Sequence, residues 1–286
     1  MTKNISFISV IDKLNVFWKK NGCIILQPVD SEVGAATFHP CTFINAINGI
    51  EYKAAYTQFS RRPFDLKYSI SSNKSCIFYQ YQVIIKPSIG NIQELYLLSL
   101  KKIGIQINKN EIKFVEDNWT SPTLGASGIG WEVRLNGMEI TQITYFQQMG
   151  GITCDPIMVE IAYGLERLTL HIQNVNSIDD IIFDTTDNVK LKYADIFRTY
   201  ELEYTKYILE EINIPELEKE FNAREIVISR LIDKELPRIA YDYLLKLTHI
   251  FNLIDSKMCY GLIRQTYISR IKSLANRIAR KIKNEK

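Results

Sequence analysis

The sequence predicts an α+β fold, in which an antiparallel sheet flanked by helices is followed by an all-α C-terminal domain. Asn136-Gly137 joins two strand-like runs and is typical of a type I′ hairpin turn, whose two central residues need positive φ. A strand–loop–strand pattern covers residues 52–86 and is closed by Pro87. After Asn176 the strand-like runs stop and long helical stretches begin. These three observations together indicate the two-part architecture.

The N-terminal part begins with a helix. Apolar residues recur at helical spacing from Phe7 to Trp18 and predict an amphipathic helix over residues 5–20, which Gly22 ends. Short runs rich in apolar residues follow between polar loops. They predict three strands: residues 23–27, 52–60 and 76–86.

The next elements lead to the hairpin. Asn91 and Glu94 have the spacing of a capping box and predict a second helix, which Gly104 ends. Residues 111–116 read as a strand. The Gly-, Ser- and Pro-rich stretch up to residue 130 is expected to be a loop that enters the hairpin.

A helical pattern follows the hairpin and carries an arginine of interest. Four apolar residues form its predicted buried stripe: Ile161, Leu165, Leu168 and Ile172. Arg167 lies off this stripe and shares its side with Gly164. A glycine there leaves space for a phosphate or carboxylate to approach the guanidinium. Spacing alone leaves open the alternative that Arg167 forms a surface ion pair with Glu160 or Glu166.

The C-terminal part is predicted to be helical. Its four stretches are punctuated by Pro and Gly: residues 190–213, 215–235, 237–255 and 260–284. We therefore predict two domains, residues 1–174 and 175–286. The net charge is only +3, yet nine Lys or Arg residues and one acid lie within residues 257–286. This basic end is either the solvated face of a terminal helix or a contact for RNA phosphates or an acidic partner.

Composition excludes several classes of protein. The 286-residue chain is 46% hydrophobic, enough for a sizeable core, and no apolar run reaches the ~18 residues that span a bilayer. The first twenty residues lack the features of a signal peptide, so a cytoplasmic location is expected. The five cysteines are scattered and the three histidines lie far apart, which argues against a zinc site or a local catalytic triad.

The charged residues of the N-terminal part suit chemistry on phosphates. No nucleophile–base pair stands out, and neither a P-loop nor a dinucleotide-binding glycine motif is present. Arginines that hold phosphate oxygens and carboxylates that hold Mg²⁺ are what nucleotidyl transfer requires. The candidate cations and acids are Arg61, Arg62, Lys67, Lys74, Arg167, Asp65, Glu132 and Glu139.

The sequence resembles the class II aminoacyl-tRNA synthetases, and more narrowly the alpha subunit of the bacterial heterotetrameric glycyl-tRNA synthetases. The similar segments span nearly the whole chain. Among them are QPVDSEVGAATFHPCT (27–42), QFSRRPFD (58–65), GWEVRLNGMEITQITYFQQMGG (130–151), YGLERL (163–168) and AYDYLLKLTHIFNLID (240–255). The resemblance implies that glycine is activated with ATP and Mg²⁺ to glycyl-adenylate and then transferred to tRNA(Gly). It also implies an alpha–alpha dimer, whose interface includes the helix over residues 7–18, and a beta subunit in an α2β2 tetramer.

The resemblance assigns roles on the ATP side of the site. Arg61 or Arg62, with Arg61 preferred, is expected to hold the α-phosphate, and Arg167 the γ-phosphate beside Gly164. The remaining expected contacts are Lys74 with the outer phosphates, Phe78 with adenine, and Glu139, followed by Glu132, with Mg²⁺ or ATP.

The glycine pocket is expected to include four residues: Glu32, Thr37, Gln80 and Trp119. Each has an ordinary alternative role, such as Trp119 in the core or Thr37 in a turn.

The chain also departs from the family pattern. Lys67 and Lys74 stand where arginines are usual, which predicts weaker ATP binding, and Ser127 and Arg134 replace tryptophans. Two alternative functions stay open on this basis. One is a non-catalytic class II synthetase paralogue that binds nucleotide or RNA, and the other is a related adenylate-forming ligase.

Overall fold

The computed structural model describes residues 5–68, 75–258 and 261–285. Its centre is a seven-stranded sheet in the order β1-β2-β3-β7-β6-β5-β4. The strands are β1 (Ile24–Ile25), β2 (Tyr52–Arg61), β3 (Ile77–Lys86), β4 (Ile112–Ser121), β5 (Ala126–Leu135), β6 (Met138–Met149) and β7 (Ile152–Gly164). Strand β1 runs parallel to β2, and the other neighbours are antiparallel. The predicted α+β class with a mostly antiparallel sheet is confirmed.

Helices flank this sheet and dominate the C-terminal part. The first four are α1 (Phe7–Lys20), α2 (Pro40–Ile47), α3 (Ile92–Ile103) and α4 (Leu165–Gln173). The last four are α5 (Tyr193–Lys206), α6 (Ile214–Asp233), α7 (Pro237–Met258) and α8 (Gly261–Lys283). A two-stranded hairpin, β8 (Ile182–Thr185) and β9 (Lys190–Lys192), precedes α5. This hairpin corrects the expectation that no strand follows residue 176.

The turn between β5 and β6 follows from its sequence. Asn136 and Gly137 have φ values of 50° and 85°, the left-handed region that a type I′ turn requires. Glycine adopts this region without steric cost, and asparagine does so more readily than most residues. The turn fixes the register of β5 against β6 and thereby the face on which each side chain lies.

Two expectations about neighbouring elements were wrong. Much of the stretch expected to be a loop before residue 130 belongs to β4 and β5, which a short turn at residues 122–125 joins. The helix expected from Ile161 begins only at Leu165, because residues 152–164 form β7. Ile161 and Glu160 are both buried although they lie on opposite faces of β7. A strand buried on both faces lacks the apolar–polar alternation that would identify it.

The sheet separates two apolar clusters. One contains α1, α3 and α4, and the other contains α2 together with α6, α7 and α8. In α1 the side chains of Phe7, Leu14 and Trp18 have no exposed surface. These three side chains pack within the chain itself, and the expectation that this helix also forms part of an interface between subunits stays a prediction.

The C-terminal helices pack directly against the sheet. Phe43 of α2 stacks on Tyr241 of α7 at 4.3 Å between ring centroids, and Asn276 of α8 donates a hydrogen bond of 2.7 Å to the carbonyl of Gly150. The division at residue 174 stays a proposal, since one apolar cluster includes side chains from both sides of it. None of the helices in the described part of the chain is long and apolar enough to cross a membrane.

The basic face of α8 is largely neutralised within the chain. Four of its cations form ion pairs with acids of α6, α7 and the turn that follows α6: Arg264–Asp255, Arg270–Glu225, Arg277–Asp233 and Lys281–Glu235. This arrangement favours the interpretation that the basic C-terminal end is the solvated face of a helix.

Candidate active site

One face of the sheet is polar where it lies under the C-terminal helices. Residues that pair across neighbouring strands point to the same face. Gln82, Ala162 and Gln142 are partners across β3, β7 and β6, and Glu160 pairs with Thr144 one row away. Polar or small side chains at these positions cannot fill a core. Four of them, Gln142, Thr144, Glu160 and Ala162, line a cavity of about 630 Å³, which is within the range of small-molecule sites.

A buried carboxylate lies at this face of the cavity. Glu160 is 3% exposed, and its two carboxylate oxygens accept hydrogen bonds of 2.5 and 3.0 Å from the Thr37 hydroxyl. The amide of Gln82 also donates to it. Burial raises the pKa of Glu160 to about 7, and the hydrogen bonds from Thr37 and Gln82 act in the opposite direction. A carboxylate in such a place favours a small cation as its partner.

The Thr37 hydroxyl is held in place by the turn that carries it. Residues 36–38 form a short 3₁₀ turn, and the backbone N–H of Ala36 donates to the Gln80 side-chain oxygen at 2.9 Å. The Tyr56 hydroxyl donates to the carbonyl of Ala36 at 3.0 Å. Gln80 therefore fixes one wall of the cavity and also lines it.

The other end of the cavity is rich in arginine. Helix α4 begins after Gly164, and Arg167 Nη1 donates to the Glu139 carbonyl at 2.8 Å and to its carboxylate at 2.9 Å. The Arg62 guanidinium lies 4.8 Å from the centroid of the Phe78 ring, and its Nε donates to the Gly34 carbonyl at 2.9 Å. Two arginines, a carboxylate and an aromatic ring thus share one wall.

These charges act on one another. Arg62 lies near the positive charge of Arg167 and the negative charges of Asp65 and Glu139. Each of these four residues lines the cavity. Guanidinium groups stay protonated in proteins, so this end of the cavity offers two fixed positive charges to an anion.

A family model of the glycyl-tRNA synthetase alpha subunit matches residues 7–286. The chain belongs to this family. The function expected from the sequence, a catalytic alpha subunit with ligase activity, is confirmed at this level.

Two solved structures are similar in fold. PylSc, a pyrrolysyl tRNA synthetase of Desulfitobacterium hafniense, is 11% identical, with a TM-score of 0.45 over 66% of this chain and 77% of that chain. Another pyrrolysyl-tRNA synthetase structure from the same organism has the same identity and coverage and a TM-score of 0.42.

Most of the expected site residues lie together in this alpha subunit. Eight of them line the cavity: Thr37, Arg62, Phe78, Gln80, Trp119, Glu139, Gly164 and Arg167. Trp119 also packs edge-on against Phe146, with ring centroids 5.5 Å apart. Lys74 lies outside the described residues.

Three expected residues lie elsewhere. Arg61 donates to the Tyr200 hydroxyl, its guanidinium lies 5.6 Å from the centroid of the Tyr200 ring, and it does not line the cavity. Glu132 forms a 2.6 Å ion pair with Arg134 and is not at the cavity wall. Glu32 is exposed and is also absent from the wall. Of the two neighbouring arginines, Arg62 lines the cavity and Arg61 does not, because β2 ends at Arg61 and the next residue enters the cavity.

Several cavity residues were missed by the sequence analysis. Glu160 and Glu166 were considered only as partners for Arg167, although an acid inside the apolar run of β7 is a usable signal for a site. Three residues of α7 also line the cavity: Thr248, Asn252 and Asp255. Nothing local in the sequence indicates that this helix reaches the site.

Glu166 provides a test of the buried charges of the cavity. It accepts hydrogen bonds from the backbone N–H of Tyr79 at 2.7 Å and from the Tyr193 hydroxyl at 2.9 Å, and burial raises its pKa to about 7. Between pH 4.5 and 7 the folded state therefore binds more protons at Glu166 than the unfolded state, so this group's contribution to stability falls as pH rises.

We expect Glu166→Gln to become more stable relative to the unsubstituted protein as pH is raised from 5 to 8. The differential change is expected to be up to about 3 kcal/mol, since one pKa unit corresponds to roughly 1.4 kcal/mol. The measurement is the midpoint of urea unfolding of both proteins at each pH. A difference that stays constant with pH would contradict the raised pKa.

Proposed function

We propose that the cavity binds glycine and ATP side by side and catalyses formation of glycyl-adenylate. The glycine carboxylate attacks the α-phosphorus and pyrophosphate leaves; the glycyl group then passes to the terminal ribose hydroxyl of tRNA(Gly). The observation that carries this proposal is the presence, in one cavity, of the buried Glu160 carboxylate and a wall with two arginines. One end suits a small ammonium group and the other suits phosphates.

Glycine is proposed to bind with its ammonium group on Glu160. Thr37 and Gln82 already orient that carboxylate, so little ordering is needed when glycine enters. Gln80 and Trp119 form neighbouring walls. A small pocket of this kind excludes amino acids larger than glycine by size. Rejecting a larger substrate is easier for a binding pocket than rejecting a smaller one.

The triphosphate is proposed to lie along the arginine wall. Arg62 is assigned to the α-phosphate, since it reaches the cavity and Arg61 does not. Arg167 is assigned to the γ-phosphate, and Phe78 provides an aromatic face for adenine. Arginine serves both phosphate positions well because its fork can bind two phosphate oxygens at once.

The donor set fits Mg²⁺ bound together with ATP, with Glu139 as the carboxylate ligand. The described residues contain no cluster of three or more His, Cys, Asp or Glu that could hold a metal alone. Mg²⁺ commonly takes only one or two carboxylates and completes its shell with substrate phosphates and water. One carboxylate oxygen of Glu139 pairs with Arg167, and the other has no hydrogen bond to a described residue. Bound Mg²⁺ would neutralise charge on the leaving pyrophosphate.

The family also implies partners. We propose that the chain pairs with a second alpha subunit and with a beta subunit, which together form the α2β2 enzyme that charges tRNA(Gly). Recognition of most of the tRNA is assigned to the beta subunit, as the family resemblance implies.

The deciding experiment is glycine-dependent ATP–pyrophosphate exchange, measured with and without the beta chain. Exchange that requires glycine supports the proposal. A complete lack of exchange under both conditions would favour the non-catalytic paralogue that binds nucleotide or RNA. Exchange that responds to another acid and not to glycine would identify a different adenylate-forming ligase.

Gly164→Val is expected to weaken ATP binding more than it affects folding. A Cβ at Gly164 would lie 3.4 Å from the Ile140 carbonyl oxygen and 4.0 Å from Arg167 Cδ, which is ordinary contact, and φ is −83°. The backbone therefore tolerates a side chain, but the branches of valine reach toward the guanidinium and its phosphate. We expect the KM for ATP to rise by about 10-fold.

The matched control is Gly164→Ala, whose single methyl group fills only the Cβ position. We expect a rise of less than about 3-fold in the KM for ATP for this variant. Thermal unfolding of both variants completes the test. A valine variant that melts early but binds ATP normally would contradict the proposed clearance.

A further inference from the structure

Helix α5, which follows the predicted domain boundary, contacts the strand–loop–strand segment that carries the arginine wall. Phe197 packs against Tyr79 of β3, with ring centroids 5.9 Å apart. Tyr200 accepts a hydrogen bond from Arg61 at the end of β2. Glu201, the next residue of α5, reaches the beginning of β3. The helix therefore holds both strands at the point where they lead into the cavity.

The Glu201 carboxylate has three donors at the start of β3. The Ser75 hydroxyl donates to one oxygen, and the backbone N–H of Ile77 donates to the same oxygen at 3.0 Å. The backbone N–H of Cys76 donates to the other oxygen at 3.3 Å. An ionised acceptor strengthens each of these hydrogen bonds. The side chain thus fixes three consecutive residues.

These hydrogen bonds lie one step away from the arginine wall. The carbonyl of Cys76 accepts a hydrogen bond of 2.6 Å from the backbone N–H of Arg62. The N–H of Cys76 therefore donates to Glu201, and the carbonyl of Cys76 accepts from the N–H of Arg62. Phe78 follows the fixed segment directly, and the Arg62 guanidinium lies over its ring. Both members of the Arg62–Phe78 pair depend on the same anchored backbone.

We propose that Glu201 is a positioning residue for ATP, which acts through Cys76 and Ile77 to set the Arg62–Phe78 pair. This inference rests on the proposed function for the identity of the nucleotide. Glu201 does not line the cavity, so its effect is indirect. The glycine end of the cavity, around Glu160 and Thr37, has no hydrogen bond to Glu201 among the described residues. A loss of positioning should therefore affect ATP and spare glycine.

The test variant is Glu201→Gln, which keeps the length of the side chain but replaces one acceptor oxygen with a donor that faces N–H groups. Glu203→Gln removes the same charge from an exposed position of the same helix and serves as the control. We expect Glu201→Gln to raise the KM for ATP by about 10-fold and to change the KM for glycine by less than about 2-fold. The control should change neither.

Binding of a non-hydrolysable ATP analogue, measured by calorimetry without glycine, tests the positioning role of Glu201 separately from the proposed function. If the unsubstituted enzyme shows no glycine-dependent exchange, the proposed function fails. The affinities of the unsubstituted protein and of Glu201→Gln for the analogue can still be compared. Unchanged analogue affinity in a folded Glu201→Gln variant overturns the positioning role, as does an equal rise in both KM values. If Glu201→Gln does not fold, Glu201→Asp decides: weaker analogue binding supports the role, and unchanged binding overturns it.

Discussion

Replacing Arg167 with alanine is expected to lower the rate of glycine-dependent ATP–pyrophosphate exchange by about 10²–10³-fold. Loss of one preorganised donor to charge that develops in a transition state costs a factor of this size. Helix α4 supplies the arginine at its first turn, and Glu139 holds one of its nitrogens through two acceptors. Nη2 and Nε have no hydrogen bond to any described residue, and they remain for phosphate oxygens.

The chain offers a closely matched control for this variant. Arg224 on α6 is 29% exposed and pairs with a glutamate at 2.8 Å, whereas Arg167 is 30% exposed and pairs with Glu139 at 2.9 Å. Arg224→Ala therefore removes an equivalent ion pair away from the cavity. We expect exchange within about 2-fold of the unsubstituted enzyme, since such partly exposed pairs contribute little. Similar losses in both variants would show that Arg167 acts on folding.

Lysine at position 167 distinguishes charge from geometry. Arg167→Lys keeps the positive charge but loses the planar fork that binds two oxygens together. We expect a loss intermediate between the unsubstituted enzyme and Arg167→Ala. If lysine restored full exchange, the fork would be irrelevant and a simple point charge would explain the site.

The features that sequence alone predicted are those with a local cause. The Asn136-Gly137 turn needs only its own backbone preference, and the buried stripe of α1 needs only a 3.6-residue period. The roles expected for Glu139, Gly164 and Arg167 came from resemblance, and the structure brings these residues together at one cavity wall. The roles assigned to them stay predictions until the variants are measured.

The features that sequence missed depend on long-range packing. Whether Arg61 or Arg62 faces the cavity is decided at the residue where β2 ends, and element ends are the least predictable part of a pattern. Glu160 lies on a strand with both faces buried, so its face could not be read from alternation. Asn252 approaches Gly34 only because α7 packs over the sheet: a Cβ on Gly34 would lie 3.3 Å from its amide nitrogen. No local pattern in the sequence predicts the contact between Asn252 and Gly34.

Replacing Glu160 with glutamine is expected to raise the KM for glycine by about 100-fold. A hydrogen-bonded ion pair between the glycine ammonium and the buried carboxylate would be lost, and such hydrogen bonds contribute about 1.5–3 kcal/mol each. Binding of a non-hydrolysable ATP analogue in the absence of glycine should change by less than about 2-fold. If the affinity for the ATP analogue fell by the same factor as the KM for glycine rose, the assignment of Glu160 to glycine would be contradicted.

The pH dependence provides a second readout of the same residue. Burial raises the pKa of Glu160 to about 7 in the free enzyme, so its carboxyl group is increasingly protonated as pH falls below 7. A protonated carboxyl group cannot pair with an ammonium group. We therefore expect kcat/KM for glycine to fall as pH is lowered from 8 to 6, while kcat changes less, because bound ammonium favours the ionised carboxylate. Glu160→Gln should lose this dependence.

Folding should survive this substitution, which makes the kinetic result interpretable. Glutamine has the shape of glutamate, and its oxygen can accept from the Thr37 hydroxyl as Glu160 does. The Gln82 side-chain oxygen is buried and has no hydrogen-bond partner among the described residues, so reorientation of the Gln82 amide gives the new amide group an acceptor. Removing a buried charge also removes its desolvation cost above pH 7. We therefore expect a thermal midpoint at pH 8 no lower than that of the unsubstituted protein. A marked drop would mean that Glu160 holds the sheet together, and that its charge serves the fold and not glycine.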